Sequence, residues 1–109
     1  MTKETVFELL RLIPKGKVTT YGKIAEMLGN KKCARAVGNI LHSNKDCTKY
    51  PCYKVVNGKG MVSSAYAFGG AEKQRELLEK EGIEVKNGKV DLVIYLWRPE
   101  STQKSIEKH

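Results

Sequence analysis

Apolar positions recur along the first forty residues at the spacing of one helical face. Val6, Leu9, Leu10 and Ile13 form such a stripe, flanked by Phe7, and predict an amphipathic helix over Thr5 to Ile13. Pro14-Lys15-Gly16 ends it, and Lys17-Val18-Thr19 reads as a short connector. Thr20 offers a hydroxyl to the orphan amides of a second helix over Tyr21 to Leu28, with Ile24, Ala25 and Leu28 inward. Gly29-Asn30 tolerates positive φ and closes that helix. A third helix over Lys31 to His42 would turn Ala36, Val37, Ile40 and Leu41 inward. Helix, Gly-containing turn, helix is the pattern of a helix-turn-helix, and equally of an ordinary helical hairpin.

After His42 the helical period is lost. Residues 43–50 are polar and predict a loop. Tyr53 to Val56 predicts a short strand, Asn57-Gly58-Lys59-Gly60 a tight turn, and Met61-Val62 a return strand completing a small wing. Ser63 to Gly70 is a loop of small residues holding Tyr66 and Phe68. Ala71 to Glu81 predicts a helix with Leu77 and Leu78 inward, ended by Gly82. Asn87-Gly88, between Glu84-Val85 and Val90-Asp91, signals a second hairpin. Leu92 to Trp97 is apolar and is expected to cover the core, and residues 100–109 form a polar tail. The expectation is one domain over residues 1–99, mainly α with short β hairpins, of winged helix-turn-helix type.

Composition fits this picture. A chain of 109 residues with 40% hydrophobic content can hold one core without disulfides. No apolar run reaches the roughly 18 residues of a membrane span, and no charged-then-apolar leader precedes Thr5, so the expected setting is the cytoplasm; from its length the chain is expected to be a monomer. The formal charge of +8 is unevenly placed: residues 1–60 hold 12 Lys and Arg against 4 Asp and Glu, and residues 61–109 hold 8 against 8. A one-sided positive field fits a nucleic acid partner, or a basic face that merely aids solubility. The three cysteines, Cys33, Cys47 and Cys52, are odd in number and include no CxxC pair, which points to free thiols in a reducing compartment. A zinc site built from them with His42 would need spacings that match no common module. No metal and no cofactor is expected.

The chemistry concentrates in Tyr50-Pro51-Cys52-Tyr53-Lys54-Val55-Val56, where a thiol sits between a proline and a basic, aromatic pair. Upstream lies Lys31-Lys32-Cys33-Ala34-Arg35-Ala36-Val37-Gly38. With Tyr21, Asn44, Gly69-Gly70 and Glu81-Gly82, these segments resemble, in order and near spacing, the DNA-binding domain of O6-alkylguanine-DNA alkyltransferases. The likeness covers roughly residues 5–85. The remainder, including Trp97-Arg98-Pro99, is similar to the alkyltransferase-like proteins, a sister group that binds alkylated DNA without transferring the group. That group usually carries tryptophan or another residue at the acceptor position, where this chain carries Cys52. In the enzymes a histidine follows the acceptor cysteine, where this chain carries Tyr53.

The resemblance implies roles for particular residues. Cys52 would accept the alkyl group, with Tyr53 and Glu81 behind it, Asn44 bracing the segment and Tyr21 donating a proton to the departing base. Arg35 would enter the duplex in place of a flipped-out nucleotide, and Ala34, Ala36 and Gly38 are small enough for a helix to approach the minor groove closely. Lys31, Lys32 and Lys54 would hold phosphates. Tyr66, Val56 and Ser64 would line the base pocket. A phenol, with pKa about 10 against about 6.5 for imidazole, is a poor resting base. A thiol of pKa about 8.5 is nonetheless a few per cent thiolate near neutrality, and a phenol can relay a proton. The implied partner is double-stranded DNA containing O6-alkylguanine. The alternatives are a non-enzymatic lesion sensor that draws in other repair proteins, and a winged helix-turn-helix regulator reading sequence in the major groove. The small residues around Arg35 argue against the last, because such readers carry longer polar side chains.

Overall fold

The computed structural model describes residues 2–46, 48–63 and 69–99, and of Lys31 only the backbone. The fold is mainly helical with small strands. Helix α1 spans Lys3–Leu12 and starts two residues earlier than the apolar stripe predicts. The cause is a reciprocal cap: the Thr5 amide donates to Thr2 Oγ1 at 3.2 Å, and the Thr2 amide donates to Thr5 Oγ1 at 3.0 Å. Helix α2 spans Tyr21–Met27, and its Thr20 cap accepts from the Lys23 amide at 3.1 Å. The third predicted helix is split into a 3-10 turn, Lys31–Cys33, and helix α3, Ala34–His42. Asn30 caps that turn, its side chain accepting from the Lys32 amide at 3.1 Å. Val37 and Leu41 face inward as expected, whereas Ala36 is exposed. On a helix that buries positions 37 and 41, position 36 lies about 100° away from the inward face.

The strand pairing departs from the expected wing. Strands β1, Thr19–Thr20, and β2, Val55–Val56, pair in parallel, with Thr19 opposite Val55 and Thr20 opposite Val56. The 17–19 stretch is thus no mere connector. Both valines are buried, 1% exposed each, and a parallel pair covered on both faces accommodates that where an exposed hairpin would not. The Asn57 turn forms, its side chain accepting from the Lys59 and Met61 amides at 2.9 Å each. It leads the chain onto the hairpin of β3, Val85–Lys86, and β4, Lys89–Val90. There the Val90 amide donates to Gly60 O at 2.8 Å, and the Val62 amide to Gly88 O at 2.9 Å. Gly60 has φ of +86°, and a Cβ there would sit 2.2 Å from Val90 O, so this approach requires glycine.

Two apolar clusters result. The first joins Val6, Phe7, Leu10, Ile13, Ile24, Ala25, Val37 and Leu41 to Cys52 and Val55. The second holds Val18, Val56, Leu78, Ile83 and Val90. Helix α4, Gly70–Lys80, supplies Leu78 to the second cluster. Helix α5, Leu92–Tyr95, covers less than expected: Leu92 and Tyr95 pack on the second cluster while Val93 and Ile94 are exposed. A single helical turn presents only positions three apart to one side. Trp97 packs against the first cluster. Among the described residues no helix is long and apolar enough to cross a membrane.

Candidate functional site

Cys52 opens a 3-10 turn, Cys52–Lys54, between the loop after α3 and strand β2. Its amide donates to Tyr50 O at 2.7 Å, and the Lys54 amide donates to Pro51 O at 3.1 Å. Asn44, 5% exposed, braces the approach to this turn. Its Nδ2 donates to Tyr50 O at 2.9 Å and its Oδ1 accepts from the Asp46 amide at 3.0 Å. The Tyr50 ring stacks on Phe7 of α1 with centroids 5.0 Å apart. Cys52 is 7% exposed, and no disulfide joins it to another cysteine among the described residues.

Behind the thiol segment lies Glu81, the residue that caps the C-terminus of α4. The Tyr53 hydroxyl donates to Glu81 Oε2. Glu81 Oε1 receives the Lys54 ammonium at 2.9 Å and the Gly16 amide at 3.1 Å. Burial pushes the Glu81 carboxyl up. The Tyr53 hydroxyl, the Lys54 ammonium and the Gly16 amide outweigh burial and hold it below the usual carboxylate range. An ionised carboxylate therefore faces the Tyr53 phenol, whose oxygen retains lone pairs to accept from another donor.

Lys54 does not hold a phosphate. It is 2% exposed, and besides Glu81 its ammonium donates to Ile13 O at 3.1 Å and Pro14 O at 2.7 Å. Both carbonyls lie just past the end of α1, where Pro14 O also accepts from the Lys17 amide at 3.1 Å, and a buried cation satisfied three times cannot turn outward cheaply. Val56 does not line a pocket at Cys52 either. Its side chain belongs to the second cluster, since neighbouring strand residues point to opposite faces. Ser64 and Tyr66, expected in the base pocket, lie outside the described residues, as do Cys47 and residues 100–109.

Tyr21, the first residue of α2, packs half-buried against the cluster that contains Cys52. Burial, and after it the charge of Cys52, push the Tyr21 phenol above its ordinary value, so the hydroxyl keeps its proton. Gly38 of α3 lies beside its ring: a Cβ there would meet Tyr21 Cε1 at 3.9 Å. On the same helix Arg35 and Ala36 are exposed, Ala34 is half-buried, and Lys32 of the preceding turn is exposed. Reasoning from sequence missed Gly16 and Gln74. Gly16 reads only as a helix stop. Gln74, which is 1% exposed, precedes the inward Leu78 by four positions, and that spacing was the available signal.

A helix pair presenting small residues and an arginine, backed by a buried Pro-Cys turn and a glutamate, defines an alkyltransferase-type DNA-binding domain. Residues 1–83 match the family model described as the 6-O-methylguanine DNA methyltransferase, DNA binding domain, and the chain belongs to that family. It is 46% identical over 90 residues to a bifunctional methyltransferase/endonuclease of Picrophilus torridus, a match covering 83% of this chain and 30% of that relative. It is 41% identical over 95 residues to a DNA base-flipping protein of Vibrio parahaemolyticus, covering 86% of this chain and 93% of the relative. Among solved structures it resembles Schizosaccharomyces pombe Atl1 in complex with damaged DNA containing O6-carboxymethylguanine. That match has a TM-score of 0.81 and 33% identity, and covers 89% of this chain and 94% of the other.

Proposed function

We propose that the chain binds duplex DNA in the minor groove, flips out O6-alkylguanine and accepts the alkyl group on Cys52 in one turnover. The exposed face of α3 meets the groove, Arg35 fills the gap left by the flipped nucleotide, and Lys32 steadies a phosphate. The Cys52 sulfur attacks the alkyl carbon as the carbon–O6 bond breaks, and the bonding pair leaves with guanine. Tyr21 gives the guanine a proton, and the thiol's own proton replaces it, so alkyl is exchanged for hydrogen. The observation that carries this reading is that Cys52 and Tyr21 share one apolar cluster, with Tyr21 against α3, the helix that bears Arg35. That packing supports an acceptor and a proton donor lying behind the surface offered to DNA. The protein acts as a monomer on DNA in the cytoplasm.

A lesion sensor that binds without transfer is the second reading. What favours it is the match along nearly the whole length of the Vibrio base-flipping protein and of Atl1. A relative combining a methyltransferase with an endonuclease supports a DNA-cleaving enzyme as the protein such a sensor would recruit. Intact-protein mass after incubation with an O6-methylguanine duplex separates the two. Transfer adds one methyl group to the wild-type chain and none to Cys52→Ser, which still binds the lesion. Binding by wild type without a mass gain leaves the sensor.

A further inference from the structure

Gln74 is buried on a helix that otherwise carries mostly charged side chains to solvent. Its amide is used at both ends. Nε2 donates to Tyr53 O and to Val55 O, both at 2.9 Å, and Oε1 accepts from the Ser63 amide at 2.7 Å. The two carbonyls flank Lys54, so the amide grips the backbone of the segment that begins at Cys52. Seven residues later, about two helical turns along the same face, Glu81 takes the side chains of Tyr53 and Lys54. Leu78, fully buried in the second cluster, comes between them in the chain on that face. One helix therefore holds the thiol segment twice: its backbone through Gln74, its side chains through Glu81. Buried carbonyls require a donor, and the glutamine amide has two N–H groups, one for each. An apolar residue would fill the same space at less desolvation, so the amide is explained by what it holds.

We propose that Gln74 is a positioning residue for Cys52: through the carbonyls of Tyr53 and Val55 it fixes where the thiol points. It thereby sets how the site receives an O6-substituted guanine. The inference rests on the lesion-binding function proposed above.

Three variants of the full chain test it. Gln74→Met keeps a similar volume and removes every hydrogen bond. Gln74→Glu keeps an acceptor for Ser63 but loses both donors to the segment. Val90→Ala opens the second cluster and serves as a control for lost stability. Three quantities are read: the affinity ratio for an O6-methylguanine duplex over the unmodified duplex, the rate of methyl gain on Cys52, and the carbon-13 shift of the Tyr53 Cζ. Both Gln74 variants are expected to lose about tenfold in the ratio and in any transfer rate, since displacement by about 1 Å at a reacting centre costs up to about 100-fold. Their Tyr53 signal moves, while Val90→Ala, in the cluster that Tyr53 also touches, leaves the ratio and the rate unchanged beyond its lower melting temperature. A folded Gln74 variant with the wild-type ratio, or an equal loss in Val90→Ala, overturns the proposal. So does failure of both Gln74 variants to fold, which would make the residue structural only. If wild type itself shows no lesion preference, the function fails instead. The Tyr53 signal then decides the positioning role, and an unmoved signal in Gln74→Glu rejects it.

Discussion

The thiol segment and the outer face of α3 are built on opposite terms. Around the segment nearly every polar group is committed: Lys54 to three oxygens, Glu81 to three donors, Gln74 to three backbone groups and Asn44 to two. On α3 the Arg35 guanidinium is exposed and enters none of the ion pairs among the described residues. Under the proposed function the difference teaches how the work is divided. A group that must meet a carbon along one line gains from being held before the substrate arrives. A group that must enter a duplex gains from having no internal partner to abandon. Disturbing the segment should therefore show first in stability, and disturbing the α3 face first in binding.

The largest effect expected is on the segment. Lys54→Met leaves the Glu81 carboxylate half-buried without its cation and should lower unfolding free energy by about 3–5 kcal/mol, measured by urea denaturation. A loss below about 1 kcal/mol, the worth of a surface pair, would mean the network is not holding the turn. Arg35→Ala is the counterpart. Its stability should stay within about 0.5 kcal/mol of wild type. Its preference for the lesion duplex should fall by on the order of 2 kcal/mol, because the orphaned base loses its substitute. Titration of fluorescent duplexes gives that number. An arginine variant that melts early would erase the contrast.

Acid should sharpen the same contrast more gently. Glu81 is held below its ordinary value in the folded chain, so its contribution is complete above the unfolded glutamate pKa of about 4.3. That contribution falls away as pH drops from there toward the lower folded value. Melting temperatures measured down that range should decline with a slope that Glu81→Gln makes shallower. Arg35→Ala should leave the slope unchanged. Equal slopes in wild type and Glu81→Gln would assign the acid sensitivity to other carboxylates.

What was legible in the sequence follows the same division. The helices of the first half were largely readable because their apolar stripes and the Thr20 cap are local signals; the Thr2 cap and the 3-10 start before α3 were not read. Tyr21 and Arg35 were singled out by the family likeness. The β1–β2 pair was not readable, because two residues on each side carry no period and parallel pairing joins positions 36 apart. Lys54 misled for a related reason. Its charge reads as surface, and only the meeting of a proline-ended helix with a distant glutamate turns it inward. Tertiary partners decide such residues, and no window along the chain contains them.

The smallest effect expected bears on the α3 face itself. Gly38 sits inside a helix, where alanine is favoured by roughly 0.5–1 kcal/mol. A Cβ there meets the Tyr21 ring at an ordinary 3.9 Å, and φ at this residue is not in the left-handed region. Gly38→Ala should therefore raise the melting temperature slightly. If glycine is present so that a groove can come close, lesion affinity should fall a fewfold at the same time, an opposition of stability and binding that the thiol segment never shows. Should both quantities rise or stay level, close approach at position 38 is not needed. The DNA-facing side of the comparison then narrows to Arg35 and its immediate neighbours.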